Sequence, residues 1–156
     1  MAESQARQTL TITRRFAAPR ERVWTAWTRP ELLVRWLGPH DWPAVSFEAD
    51  LRPNGRWHAV LRSKSGEELE QGGRYLEIDP PHCLRFTFQW ESDNHEDGPG
   101  VQTEVSVELI EDGPSTTLMK FEQRGLVNDE SARGHEGGWQ QTFDRLTAWI
   151  ESEVIG

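Results

Sequence analysis

A chain of 156 residues is long enough to bury one substantial core, and 35% hydrophobic with 28% charged residues is an ordinary globular composition. The formal charge of −9, from 17 basic against 26 acidic residues, argues against a nucleic-acid backbone as the main partner, since such binders concentrate lysine and arginine. A single cysteine, Cys83, cannot form an internal disulfide. No window approaches the roughly 18 apolar residues of a membrane span, and the start has no secretory layout, so a cytoplasmic protein without membrane insertion is expected.

In chain order, residues 1–7 read as a tail and 8–153 as one domain. The stretch "TLTITRRF" (9–16) alternates as a strand, with Leu10, Ile12 and Phe16 on one side. Pro19 opens a first helix with Val23 and Trp27 four apart, and Pro30 opens a second through Leu33 and Trp36, ended by Gly38-Pro39. Six strands follow at hairpin spacing. "AVSFEADL" (44–51) sets Val45, Phe47, Ala49 and Leu51 on one face, and "RWHAVLR" (56–62) sets Trp57, Ala59 and Leu61. "EQGGRYLEI" (70–78) carries Gly72-Gly73, which predicts a bulge or a strong bend. "CLRFTFQW" (83–90) aligns Leu84, Phe86, Phe88 and Trp90. After the acidic loop "ESDNHEDGPG" (91–100), "VQTEVSVELIE" (101–111) and "TTLMKFEQ" (116–123) complete the set. In "GHEGGWQQTFDRLTAWI" (134–150), Trp139, Phe143, Leu146 and Ile150 form one apolar helical stripe.

The order β-α-α-β6-α defines an α+β fold in which a long helix packs across a curved, seven-stranded antiparallel sheet. One helix does not fill a strongly curved sheet along its whole width, and the space left over is where a ligand goes. Gly137 and Gly138 each cost about 1 kcal/mol against alanine inside a helix. Either the helix backbone approaches another element there, or its first turn is kept free of side chains, or the pair only forms the loop and helix start.

The segments "FAAPRERVWTAWTRPELLVRWLGP", "DLRPNGRW", "GGRYLEIDPPHCLRFTFQW" and "GGWQQTFDRLTAWI" resemble the START-related superfamily known as SRPBCC. Within it they look most like the branch named after the activator of the heat-shock protein 90 ATPase, over about residues 10 to 151. The resemblance implies the helix-grip fold. It distinguishes the chain from the cone-shaped cystatin-like sheet, where helices normally precede the strands. One departure is "PNG" at 53–55, where relatives commonly carry a Gly-Gly pair; Asn54 tolerates positive φ, so the turn is expected to survive. Members of the superfamily bind lipids, hormones and polyketides, and some are cyclases or hydrolases. The chaperone activator that names the branch has an additional N-terminal domain, for which a first strand near residue 8 leaves no room, so its co-chaperone role is not carried over.

Chemistry is thinly signalled. The histidines at 40, 58, 82, 95 and 135 show no i, i+4 pair on a helix, and "DNHED" (93–97) lacks the glycine and spacing of a calcium loop, so no metal site and no cofactor are expected. There is no G-x-S-x-G, and Cys83 reads as a small packed residue rather than a nucleophile. The expected ligand site is aromatic. Trp57, Phe86, Phe88, Trp90, Trp139 and Phe143 face the interior, with Trp36 and Trp42 flanking "LGPHDWP" (37–43) at the mouth. His58, Gln71 and Tyr75 are the polar candidates, with Glu70, Arg74, Glu104 and His135 near the same space. The expectation is a non-catalytic binder of an apolar or aromatic small molecule, lipid- or polyketide-like. A protein-interaction module with a chaperone partner, and a hydrolase or cyclase using a buried acid–base pair, are the alternatives.

Overall fold

Alternation of apolar and polar residues produces seven strands in a computed structural model of the chain, which describes residues 7–92 and 101–155. They are β1 (Gln8–Phe16), β2 (Ala44–Ala49), β3 (Arg56–Arg62), β4 (Glu68–Asp79), β5 (Cys83–Trp90), β6 (Thr103–Glu111) and β7 (Thr117–Leu126). All pair antiparallel in one sheet ordered β1-β7-β6-β5-β4-β3-β2. Two short helices, α1 (Arg20–Thr28) and α2 (Pro30–Trp36), join β1 to β2, and α3 (Asp129–Ile155) closes the chain. Seven curved antiparallel strands gripping a long C-terminal helix constitute the helix-grip architecture.

The inward set is the one that alternation selects. Leu10, Ile12 and Phe16 on β1, Trp57, Ala59 and Leu61 on β3, and Leu84, Phe86, Phe88 and Trp90 on β5 are all buried. On α3, Trp139, Phe143, Leu146 and Ile150 are buried along one stripe. Asn54 holds a φ of 71°, so the turn between β2 and β3 survives without the glycine pair.

Three local expectations need correction. Val45 is 44% exposed, because the β2–β3 register slips between Ala44 and Ser46 and leaves Val45 as the bulged residue. Leu51 is likewise exposed, beyond the end of β2. The irregularity of β4 falls between Tyr75 and Glu77, not at Gly72-Gly73. Those glycines serve close approach instead. A Cβ on Gly73 would overlap the Thr87 carbonyl and come within 2.7 Å of the Trp57 indole nitrogen, and one on Gly72 would overlap the Glu91 carboxylate.

The last helix starts at Asp129, five residues before the 134–150 stretch that carries its apolar stripe. Asn128 caps it by accepting a hydrogen bond from the Ser131 N–H at 2.8 Å, and Asp129 and Glu130 place negative charge at the positive end of the helix dipole. Gly137 and Gly138 therefore lie inside the helix. A Cβ on either would meet no atom within 4 Å, so neither a helix start nor a close approach explains them.

These two glycine pairs respond oppositely to a methyl group. Gly73→Ala is expected to destabilise the fold by about 1–3 kcal/mol through overpacking. Gly137→Ala, on exposed helix with open space around it, is expected to stabilise by about 1 kcal/mol. Urea unfolding of both variants against the parent reads the difference.

Candidate ligand cavity

The curvature of the sheet decides where space remains. α3 packs on β1 and β7 at one end of the strand order, and α2 packs on β2 at the other. Arg14 of β1 anchors α3, with its guanidinium on Asp144 at 2.8 Å and on the Gln140 side-chain oxygen at 2.6 Å. Between the two helices, the inner faces of β3, β4 and β5 are left partly uncovered. Two cavities lie there and share the walls Leu37, Gln71, Phe88 and Trp139.

The inner cavity, about 20 Å³, lies among Trp27, Phe47, Trp57, Tyr75, Leu84 and Phe86 as well as those shared walls. The outer cavity, about 420 Å³, adds Gly38, Pro39 and Trp42 from the α2–β2 connection, Leu61, Leu69 and Trp90 from the sheet, and Gly134, His135, Gly138 and Thr142 from α3. That volume is in the range of small-molecule pockets. Gly134 and Gly138, one turn apart, present no side chain to it. The glycines of the last helix thus leave a wall bare rather than admitting a neighbour.

Aromatic walls are held by hydrogen bonds to their polar edges. The Trp139 indole N–H donates to Gln123 Oε1 at 2.9 Å, Gln123 Nε2 donates to Thr103 Oγ1 at 2.9 Å, and Thr103 donates to the Phe88 carbonyl at 3.0 Å. The Trp57 indole donates to the Thr87 carbonyl at 3.0 Å, through the gap that Gly73 leaves. His135 Nδ1 faces the Ser131 carbonyl at 2.8 Å and must donate, so its Nε2 is free of a proton and accepts from the Trp90 indole at 3.0 Å. Two polar atoms of lining residues differ from these. Gln71 Oε1 and the Trp27 indole nitrogen are buried without any hydrogen-bond partner.

The rim is held by two side chains of α3, one of them Gln141, whose Oε1 accepts from the His40 N–H at 3.1 Å. Arg145 of α3 donates to the carbonyls of Leu37 at 2.8 Å, Gly38 at 2.9 Å and Arg35 at 3.1 Å. Burial lowers its pKa, yet a guanidinium stays charged at neutral pH. Gly38, at φ 97°, lets the chain turn where a Cβ would overlap the Trp42 carbonyl.

Of the residues expected at the site, Trp57, Phe86, Phe88, Trp90, Trp139, Tyr75 and Gln71 line one or both cavities. Three do not. Phe143 is fully buried in the core against Phe121 and Trp139. Trp36 is fully buried too, its indole donating to the Ala26 carbonyl at 3.1 Å, so it joins α1 to α2 and does not stand at the mouth. His58 alternates with the inward Trp57 and Ala59 and so faces outward from the sheet. Glu70, Arg74 and Glu104 face outward as well, and among the polar residues expected nearby only His135 joins Gln71 and Tyr75. Residues 93–100, most of the acidic loop 91–100 and with it the stretch 93–97, lie outside the described residues. Trp42 does line the outer cavity. Trp27, Gln123 and Gly134 were not among the residues expected at the site. Gln123 had a signal, as a polar residue continuing the inward series Thr117, Met119 and Phe121 of β7.

On the outer face, His58 Nε2 lies 3.1 Å from Glu70 Oε1 and 3.6 Å from Glu91 Oε1. Ligand atoms of the three lie within 4.8 Å of one another, close enough for a metal ion to span. Glu91 also pairs with Arg56 at 3.7 Å, and all three side chains are partly exposed, so the group reads as a surface ion-pair cluster. Cys83 is half-buried, and burial together with nearby Glu77 pushes its thiol pKa up, away from the thiolate a nucleophile needs.

Residues 17–151 match the protein family described as Activator of Hsp90 ATPase homolog 1-like protein. Among solved structures, the chain is similar to the AHSA1 protein from Silicibacter pomeroyi, at 24% identity and a TM-score of 0.80 over 94% of this chain and 99% of that one. A protein from Chromobacterium violaceum is 26% identical, with a TM-score of 0.79 over 91% and 96%. One from Nitrosomonas europaea is 24% identical, with a TM-score of 0.78 over 95% and 97%. No curated protein matches the chain.

Removing the rim clamp has a local signature. Arg145→Met is expected to cost about 1.5–3 kcal/mol, the scale of charged hydrogen bonds, and to speed amide exchange at residues 37–44 in hydrogen-exchange mass spectrometry. The protein's one tyrosine gives a second readout. Burial pushes the Tyr75 phenol well above its ordinary 10.0, so the unfolded chain ionises first, and stability holds below that value and falls as pH rises through it. Ultraviolet titration should show phenolate appearing together with loss of circular dichroism, not before it.

Proposed function

The chain belongs to the Activator of Hsp90 ATPase homolog 1-like family, and from its cavity we propose that it binds a small apolar, aromatic-bearing molecule between the sheet and α3. The observation that carries this reading is the outer cavity of about 420 Å³, walled by Trp42, Phe88, Trp90 and Trp139 and bare of side chains along Gly134 and Gly138. A cleft of this size, fronted on α3 by Gly138, where a side chain would meet no atom within 4 Å, has room for an occupant. A pocket of apolar walls with a few placed polar groups is the usual form of a small-molecule site. Binding without chemistry is the default reading. The described lining contains no carboxylate, and both ring nitrogens of His135 are engaged in hydrogen bonds.

A role as a protein-docking module draws less support. The exposed large apolar side chains among the described residues are Val45, Leu51 and Leu76, each 40–44% exposed. A docking patch normally runs to several hundred Å² of contiguous apolar surface. A cytoplasmic setting is supported by the single cysteine, and no helix among the described residues is long and apolar enough to cross a membrane.

The test uses indole NMR signals of labelled protein during titration with fatty acids, flavonoids and polyketide-like aromatics. Saturable shifts at Trp42, Trp90 and Trp139 are expected, and unmoved indoles across the panel refute the reading. Gly138→Leu supplies the control. A side chain there enters open space, so the variant should unfold at or above the parent's midpoint while losing most of its ligand affinity.

A further inference from the structure

Three side chains from neighbouring strands converge on the outer face of the sheet, the face turned away from the cavities. His58 on β3 stands in register with Gly72 on β4, and Glu70 lies two residues before that glycine on the same strand. Glu91 follows the end of β5, and its backbone N–H donates to the Glu70 carbonyl at 2.8 Å, which ties it to β4. The middle position of this group carries no side chain. The Glu91 carboxylate lies over it, because a Cβ on Gly72 would overlap Glu91 Oε2. Arg56 pairs with that same oxygen at 3.7 Å, which leaves Oε1 turned to His58 Nε2 at 3.6 Å. Glu70 Oε1 reaches the same nitrogen at 3.1 Å.

Ion pairing serves these atoms only two at a time. An imidazole Nε2 carries at most one proton, and Glu91 Oε1 at 3.6 Å is beyond hydrogen-bond length. Two carboxylates thus converge on one nitrogen that can satisfy only one of them. We propose that His58, Glu70 and Glu91 bind a divalent transition-metal ion of the zinc class, through Nε2 and one oxygen of each carboxylate. Zinc takes histidine nitrogen and carboxylate oxygen at about 2.0–2.2 Å in a tetrahedron, which sets its ligand atoms about 3.3–3.6 Å apart. The separations from Nε2, 3.1 and 3.6 Å, fall around that spacing. The two carboxylate oxygens lie within 4.8 Å of one another, and rotation of the half-exposed Glu70 side chain closes the rest. Three protein ligands leave a fourth position to water. With a neutral imidazole, two carboxylates against the one guanidinium of Arg56 leave the group negative, which draws in a dication. A nitrogen ligand favours zinc and its neighbours over magnesium or calcium. Strand register alone brings the three together, so histidine spacing along the chain could not report them.

The test titrates zinc chloride into the untagged protein by isothermal calorimetry and follows the histidine ring nitrogens by NMR. Saturable binding of one ion per chain is expected, with the His58 ring shifting more than any other histidine. Magnesium at the same concentration should leave the His58 ring unmoved. His58→Gln and Glu91→Gln should each weaken zinc binding about ten-fold or more, since even the outer partners of a metal site are worth about 10–100-fold. Gly72→Ala keeps all three ligands and displaces only the end of the flexible Glu91 side chain, so it should weaken binding comparably while the circular dichroism stays that of the parent.

Zinc that shifts another histidine and leaves His58 unmoved overturns the proposal. So does stoichiometric binding that survives both His58→Gln and Glu91→Gln. Unchanged affinity in Gly72→Ala removes Glu91 from the ligand set and overturns the three-ligand site. No heat and no shift at a ten-fold excess of zinc leaves an ion-pair cluster and nothing more, which also overturns it. None of these outcomes bears on the cavity, which lies on the opposite face of the sheet.

Discussion

A file of three buried hydrogen bonds, from the Trp139 indole through Gln123 and Thr103 to the Phe88 carbonyl, ties α3 to β7, β6 and β5 in turn. Gln123 and Thr103 would be expensive to bury alone, and each is affordable only because its neighbour in the file completes it. The bonds set where Trp139 stands, and Trp139 is a wall of both cavities. Arg14 fixes the helix to β1, and Arg145 fixes the α2–β2 connection to the helix. The cavity is what remains once α3 is held over one end of the sheet and α2 over the other. Its shape follows from these few polar contacts more than from its apolar lining.

Several features of the site work against stability. Glycines inside α3 cost roughly 1 kcal/mol each, and two buried polar atoms stand without partners. None of these is repaired by local packing, although the rest of the core satisfies its indoles and closes around fully buried Phe16, Phe121 and Leu146. Among the described residues, two of the three buried side-chain polar atoms without partners belong to residues lining the cavities, the third being Arg20 Nε elsewhere, and local rules broken at one place are the pattern expected of a functional site.

The inward residues of β1, β3 and β5 were legible because side chains alternate with a period of two and one face is buried. The same rule, applied through Val45, failed at one bulge, since an inserted residue shifts the parity of what precedes it. His58 and Gln71 show the rule's reach. Both looked like polar candidates for one cavity, yet His58 alternates with inward Trp57 and faces out, while Gln71 pairs in register with inward Ala59 and faces in. Trp27 was visible only as a helix-stripe residue. That its indole would find no acceptor depends on which carbonyls its neighbours bring near, and adjacency in sequence does not report that.

By itself the sequence determined the element order, the antiparallel sheet, the apolar stripe of the last helix and the resemblance to its family. Those depend on local periodicity and turn chemistry, which a linear text carries. Tertiary structure alone decided that Gly134 and Gly138 front a void, that Gly73 makes room for an indole and that Gln71 is left unpaired. Each depends on distances between segments far apart in the chain, and such distances exist only once the helix has settled against the curved sheet.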